Sequence, residues 1–97
     1  MRQYEILNEL YQSPRWHRTR RRVYRRDGMA CGDCGATDRQ LHCHHIVPAK
    51  DIPFKKFYDE KNLITLCDEC HNAVHGRGGF ISSKAFKWLN KVLRYFR

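Results

Sequence analysis

The sequence predicts a small α+β domain that needs a staple in addition to its hydrophobic core. Three observations predict it. The chain has 97 residues, a length that makes one domain with little apolar surface to bury. Four of its five cysteines fall into two C-x-x-C pairs, Cys31/Cys34 and Cys67/Cys70. Helical periodicities open and close the chain, and two short strand-like runs lie between them.

Residues 1–12 read as a short helix with Ile6, Leu7 and Leu10 as its apolar stripe. Ser13-Pro14 is the pair that caps and starts a second helix, which the spacing carries to Arg26. Trp16, Val23 and Tyr24 are expected to face inward from it, and its arginines outward. Asp27-Gly28 ends it. Cys31-Gly32-Asp33-Cys34-Gly35 is a tight knuckle in which glycines let backbone N–H groups point at sulfur. Gln40 to Val47 reads as a strand that Pro48 closes. Residues 49–61 are a charged loop, with Phe54 and Phe57 expected to pack it down. Leu63–Leu66 is a second short strand, and a helix is expected from Asp68 to His75, broken by Gly76, Gly78 and Gly79. Ser82 or Ser83 caps a last helix, in which Phe86, Leu89, Leu93 and Phe96 recur at helical spacing and Lys84, Lys87, Lys91 and Arg94 lie elsewhere. Trp16, Trp88, Phe80 and Phe86 read as core anchors, Cys43 as a small core residue, and His17 and His42 as surface histidines.

The net charge is +9, which suits a polyanionic partner, either nucleic acid or an anionic surface. Seven arginines and one histidine fall between Arg15 and Arg26, with no acidic residue among them before Asp27. A run of one sign points to phosphate contact rather than to a merely solvated face. The N-terminus, MRQYEILNELYQS, has no basic segment followed by an apolar run, and no stretch is long enough to span a membrane. The expected setting is the cytoplasm, where thiols stay reduced. Paired cysteines there indicate zinc rather than disulfides.

The cysteine pairs are separated by 32 residues. Two such pairs make a closed tetrahedral site of four thiolates, which leaves no open position for chemistry. Structural Zn²⁺ on Cys31, Cys34, Cys67 and Cys70 would join the knuckle to the helix after the second strand. The histidines form a second set. His71 and His75 lie four apart, on one face of the predicted helix, a spacing suited to two-point metal binding. His44 and His45 are neighbours on a strand and so point to opposite faces. One can bind metal while the other faces a substrate water, the division of labour that metal-assisted hydrolysis needs.

Three runs together resemble the HNH endonuclease signature: Leu41-His42-Cys43-His44-His45-Ile46-Val47-Pro48, Asn62-Leu63-Ile64-Thr65-Leu66-Cys67, and Cys70-His71-Asn72-Ala73-Val74-His75. The upstream Trp16, Arg20, Val23, Arg26-Asp27-Gly28 and Cys31-x-x-Cys34 resemble the lead-in of its zinc-bearing members. The resemblance covers roughly residues 16–75. It implies a ββα-metal core within a single nuclease domain spanning 1–97, with a basic N-terminal helix and a C-terminal helix over about 83–97. His44 then matches a metal ligand, His45 the general base, and Asn62 the asparagine that holds the base's loop. His71 matches the helix-borne ligand, and His75 a ligand found in some members.

The resemblance further implies one catalytic divalent ion (Mg²⁺, Mn²⁺, Ni²⁺ or Zn²⁺) and DNA products with 5′-phosphate and 3′-hydroxyl ends. Many members carry aspartate at the first dyad position, and imidazole there favours softer ions. Arg18, Arg20, Arg21, Arg22 and Arg25 would grip phosphates of DNA, double-stranded and with little sequence reading, and no membrane is involved. The setting implied is a bacterium or a phage-infected host, with a dimer or a larger phage or restriction machinery as further partners. The rival readings are a non-catalytic zinc module that binds nucleic acid through its basic helices, and an interaction subunit with a relict site.

Overall fold

The computed structural model describes residues 1–94; residues 95–97, including the Phe96 expected on the last helix, lie outside the described residues. The described residues form four helices and a two-stranded antiparallel sheet, the α+β arrangement that the sequence predicts. Helix α1 (Gln3–Gln12) meets α2 (Pro14–Arg26) at Ser13. There the Ser13 Oγ accepts the Trp16 N–H at 3.1 Å and donates to the Leu10 carbonyl at 2.7 Å. Trp16, Thr19 and Val23 form the buried stripe of α2, at the spacing of one helix face.

Strand β1 (Leu41–His45) pairs with β2 (Leu63–Cys67), with Leu41 opposite Cys67 and His45 opposite Leu63. β1 stops short of the expected Val47. Past a last backbone bond from Ile46 N–H to the Asn62 carbonyl, the Asn62 side chain takes over as the partner of Val47. All of β2 is buried. Its alternating side chains feed two apolar clusters. Ile64 and Leu66 pack with Val74 of α3 (Asp68–Gly76) and with Ala85 and Leu89 of α4 (Ser83–Leu93). Leu63 packs with Trp16, Val23, Ala49 and Phe57.

Several sequence expectations fail at the surface. The loop over 49–61 is folded into three short 3₁₀ turns. Phe57 anchors it with no exposed surface, whereas Phe54 is 40% exposed. Phe80 and Phe86 are not core anchors: they are 71% and 53% exposed. Helical spacing carries Phe86 outward because the inward face of α4 is already set by Ala85 and Leu89, with Trp88 beside them. Trp88 closes over the knuckle, where a Cβ on Gly32 would come within 2.9 Å of its ring.

The last arginine of the basic run faces inward, contrary to the expectation that the run contacts phosphate. Arg26 pairs with Asp27 at 2.7 Å, and their side chains are 7% and 0% exposed. Arg26 also donates to the Glu60 and Leu63 carbonyls, and Asp27 accepts the Thr65 N–H. A buried charge pair persists only when its remaining donors and acceptors are satisfied, and here they are. The pair ties the end of α2 to the start and middle of β2.

The second tie is the cysteine cluster. The donor atoms of Cys31, Cys34, Cys67 and Cys70 all lie within 4.8 Å of one another. Cys34 Sγ and Cys67 Sγ are 3.7 Å apart, close to the ~3.8 Å edge of a zinc–sulfur tetrahedron with bonds of about 2.3 Å. The Asp33 and Cys34 N–H groups point at Cys31 Sγ, and the Cys70 N–H at Cys67 Sγ. Burial pushes the Cys31 thiol up, but these N–H and sulfur contacts outweigh it and bring its pKa down to about 7. The donor set therefore fits structural zinc. Burial pushes the fifth thiol, Cys43, up to about 12, as befits a neutral packing residue.

Two stability outcomes follow. Asp27→Ala strands the Arg26 guanidinium and should cost about 3–5 kcal/mol, read as a lower urea midpoint; a midpoint equal to wild type would show that the pair contributes nothing. Cys67→Ser, or chelation of zinc, should abolish the helical circular-dichroism signal, because zinc affinity is folding free energy in such sites. Unchanged melting would remove the zinc staple from the account.

Candidate active site

The pleat of β1 separates the histidine dyad. His44 stands on the α3 side, edge-on to His71 and His75, with ring centroids 5.8 and 6.4 Å away. His45 stands on the α2 side, stacked on Trp16 at 5.3 Å and 10°. α3 follows directly on Cys67, whose sulfur caps it by accepting the Cys70 N–H. The cysteine cluster thus fixes the helix that carries His71 and His75.

His71 Nε2 and His75 Nε2 lie 3.2 Å apart. Two nitrogens on one tetrahedral ion at about 2.0–2.1 Å would be about 3.3 Å apart. The His44 Nε2 lies 3.1 Å from the Gly79 carbonyl. A carbonyl only accepts, so Nε2 carries the proton and Nδ1 is left to ligate, the second-shell arrangement that orients a metal-binding imidazole. Among the described residues, only the cysteines have three or more donor atoms all within 4.8 Å; the three histidine rings are gathered less tightly. Their donor chemistry suits a borderline divalent cation.

Burial lowers the pKa of His44, with the Gly79 carbonyl opposing and His75 and His45 adding to the shift. Burial together with His42, His75 and His44 brings His71 down to about 4. These imidazoles are neutral at neutral pH, as ligation requires. His42 is not the free surface residue that the sequence suggests: it stacks on His71 at 4.5 Å and 5° and so holds that ring in place.

His45 is 4% exposed. Its Nε2 donates to the Phe57 carbonyl at 2.9 Å, so Nδ1 is the nitrogen with a free lone pair. Burial lowers its pKa, and the bond to Phe57 opposes that shift. Tyr11 Oη lies 3.2 Å from this Nδ1, and burial raises the Tyr11 pKa, so the phenol keeps its proton. Asn62 holds the loop that supplies the Phe57 carbonyl. Its Oδ1 accepts the Val47 N–H at 2.8 Å and its Nδ2 donates to the Val47 carbonyl at 3.0 Å. Tyr11, His44, His45, Lys50, His71 and His75 border one cleft of about 510 Å³.

The arginines divide. Arg20 borders a groove with His42 and His71. Arg22 pairs with exposed Glu60 at 3.2 Å, and Arg22 and Arg25 border a different hollow with Asp59 and Lys61. Arg18 and Arg21 are exposed. No helix of the described residues is long and apolar enough to cross a membrane.

Sequence reasoning missed Tyr11 and His42, since a single tyrosine or histidine carries no spacing signal. No curated protein and no solved structure matches the chain. The HNH endonuclease family model matches residues 31–77, the segment that holds the four cysteines, the histidine dyad, Asn62, His71 and His75. That match spans the four-cysteine cluster and the histidines of the cleft, and over residues 31–77 the chain is similar to the HNH endonuclease family.

Proposed function

We infer that the chain is a metal-dependent DNA endonuclease that hydrolyses phosphodiester bonds, with His45 as general base and His44, His71 and His75 holding one divalent ion. The observation that carries this reading is the placement of His45. Its tautomer is fixed by the Phe57 carbonyl, and it borders the same cleft as the three other histidines. The family match supports the same reaction class.

Neutral His45 takes a proton generated from water, and the hydroxide attacks phosphorus in line, leaving 5′-phosphate and 3′-hydroxyl ends. His44, His71 and His75 would hold the divalent ion, which would supply positive charge for the crowded transition state and the departing 3′ oxygen. Asn62 keeps the Phe57 carbonyl in place and so keeps the base in its productive tautomer. Arg20, beside His42 and His71, is the arginine placed to hold a phosphate near the reacting centre. Arg18, Arg21, Arg22 and Arg25 serve the flanking backbone, with little reading of sequence. One site cuts one strand at a time, so a double-strand break needs a second visit or a second copy.

Supercoiled plasmid incubated with Mg²⁺, Mn²⁺ or Ni²⁺ should be nicked, and EDTA should prevent it. His45→Ala, shown folded by circular dichroism and zinc content, should lose about 10²–10⁴-fold in rate. Wild type that binds plasmid without cutting it under any metal would return the chain to the non-catalytic zinc module. DNA affinity should fall steeply between low and physiological salt, since each phosphate contact releases counterions. An affinity indifferent to salt would remove the arginines from the interface.

A further inference from the structure

Tyr11 lies near the end of α1, outside the segment that the family model matches. Its hydroxyl occupies the one place where His45 could meet water. An imidazole whose Nε2 donates to a carbonyl has a single in-plane lone pair, on Nδ1, and here that lone pair faces the Tyr11 hydroxyl at 3.2 Å. Either the tyrosine leaves before the base acts, or it takes part.

The surroundings of Tyr11 oppose its leaving. The ring is set edge-on to Trp16 at 5.3 Å, to Phe57 at 4.8 Å and to His45 at 5.8 Å. Two residues on, Ser13 fixes the bend between α1 and α2 through the Trp16 N–H and the Tyr58 hydroxyl. Even so, Tyr11 is 40% exposed and borders the cleft shared with His44, His71 and His75. It is held at its ring and open toward the cleft.

From this geometry we propose that the Tyr11 hydroxyl is the contact between His45 and the attacking water. The inference rests on the nuclease reading above. The phenol oxygen accepts a proton from water as its own proton passes to His45 Nδ1. One water O–H bond breaks, the Tyr11 O–H is broken and remade, and an N–H bond forms on His45. The hydroxide oxygen then gives its electron pair to phosphorus as the bond to the 3′ oxygen breaks. The proton on His45 returns to solvent after cleavage, and the leaving oxygen takes a proton from solvent. Tyr11 is thus a catalytic residue, and α1 is part of the active site.

The test is an order of rates. Tyr11→Phe keeps the ring packing but removes the hydroxyl, so the ring still bars water from Nδ1. It should lower kcat by about 10²-fold, the low end of general-base effects, and leave KM nearly unchanged. Tyr11→Ala opens space for a water to reach Nδ1 directly and should recover part of that loss. A packing role gives the opposite order, with Tyr11→Ala slower than Tyr11→Phe, and a gating role makes Tyr11→Phe faster than wild type; either result overturns the proposal.

A second readout needs neither catalytic metal nor substrate. In ¹⁵N-histidine-labelled protein loaded with zinc alone, Tyr11→Phe should move the His45 Nδ1 resonance and leave that of Nε2 in place. An unmoved Nδ1 overturns the proposal even if Tyr11→Ala fails to fold. If wild type cuts in a His45-dependent way and Tyr11→Phe equals it, only this inference falls. If wild type never cuts, the nuclease reading falls and takes this inference with it.

Discussion

Cys67 does three things at one point of the chain. It ends β2, it contributes a sulfur to the four-cysteine cluster, and it caps α3 by accepting the Cys70 N–H. The sheet has only two strands, and a two-stranded ribbon is marginal alone. The direction of α3 relative to β1 therefore depends on this junction. Since His71 directly follows Cys70, the gathering of the four sulfurs, which zinc would fix, also aims the helix-borne histidines at the strand-borne His44. A displacement of one helical turn there would separate the rings by several ångströms and leave no common ligand point.

The opposite wall of the site depends on a different interaction. The Arg26–Asp27 pair is buried between α2 and β2, so the polar cost of two interior charges is met by backbone groups of Glu60, Leu63 and Thr65. That arrangement fixes the angle of α2 against the sheet and so sets Trp16 flat against His45. It also explains why a run of one charge sign does not act as one surface. Arg26 is spent on structure, Arg15 lies over the ring of Tyr58 at 4.4 Å, and Arg22, still half exposed, shares its charge with Glu60. The net charge suits a polyanion at a distance; beside the histidines, the arginine that borders the groove is Arg20.

Much of this was legible in the sequence. The two C-x-x-C pairs foretold the cysteine cluster, because ligand spacing is a local property of the chain. The i, i+4 histidines and the adjacent dyad foretold which rings would share a side, because the periods of helix and strand decide that. What stayed hidden depends on packing between distant segments. Phe54, Phe80 and Phe86 look like Phe57 in composition, yet of these four only Phe57 is buried, because it falls in the cluster around Leu63 and Trp16 while the other three lie at the surface. His42 reads as a surface histidine until α3 is placed beside β1. The inward turn of Arg26 is equally invisible without β2 in place to receive it.

The contrast between the two histidines of the dyad follows from these supports. His44 takes its surroundings from elements inside residues 31–77: β1, α3 and the Gly79 turn just beyond. His45 is held on one side by the Phe57 ring and carbonyl inside that segment and on the other by residues outside it, with Trp16 stacked on its ring and Tyr11 on its nitrogen. A metal ligand, the role proposed for His44, needs only a fixed direction and a neutral ring, which a short segment tied at its cysteines can give it. A general base, the role proposed for His45, must also be kept from bulk water while meeting one chosen water, and that takes walls. Here α1 and α2 supply them. The N-terminal helices are thus more than a carrier of basic charge, because without them the Nδ1 of His45 would open directly to solvent on the side where Trp16 and Tyr11 now stand.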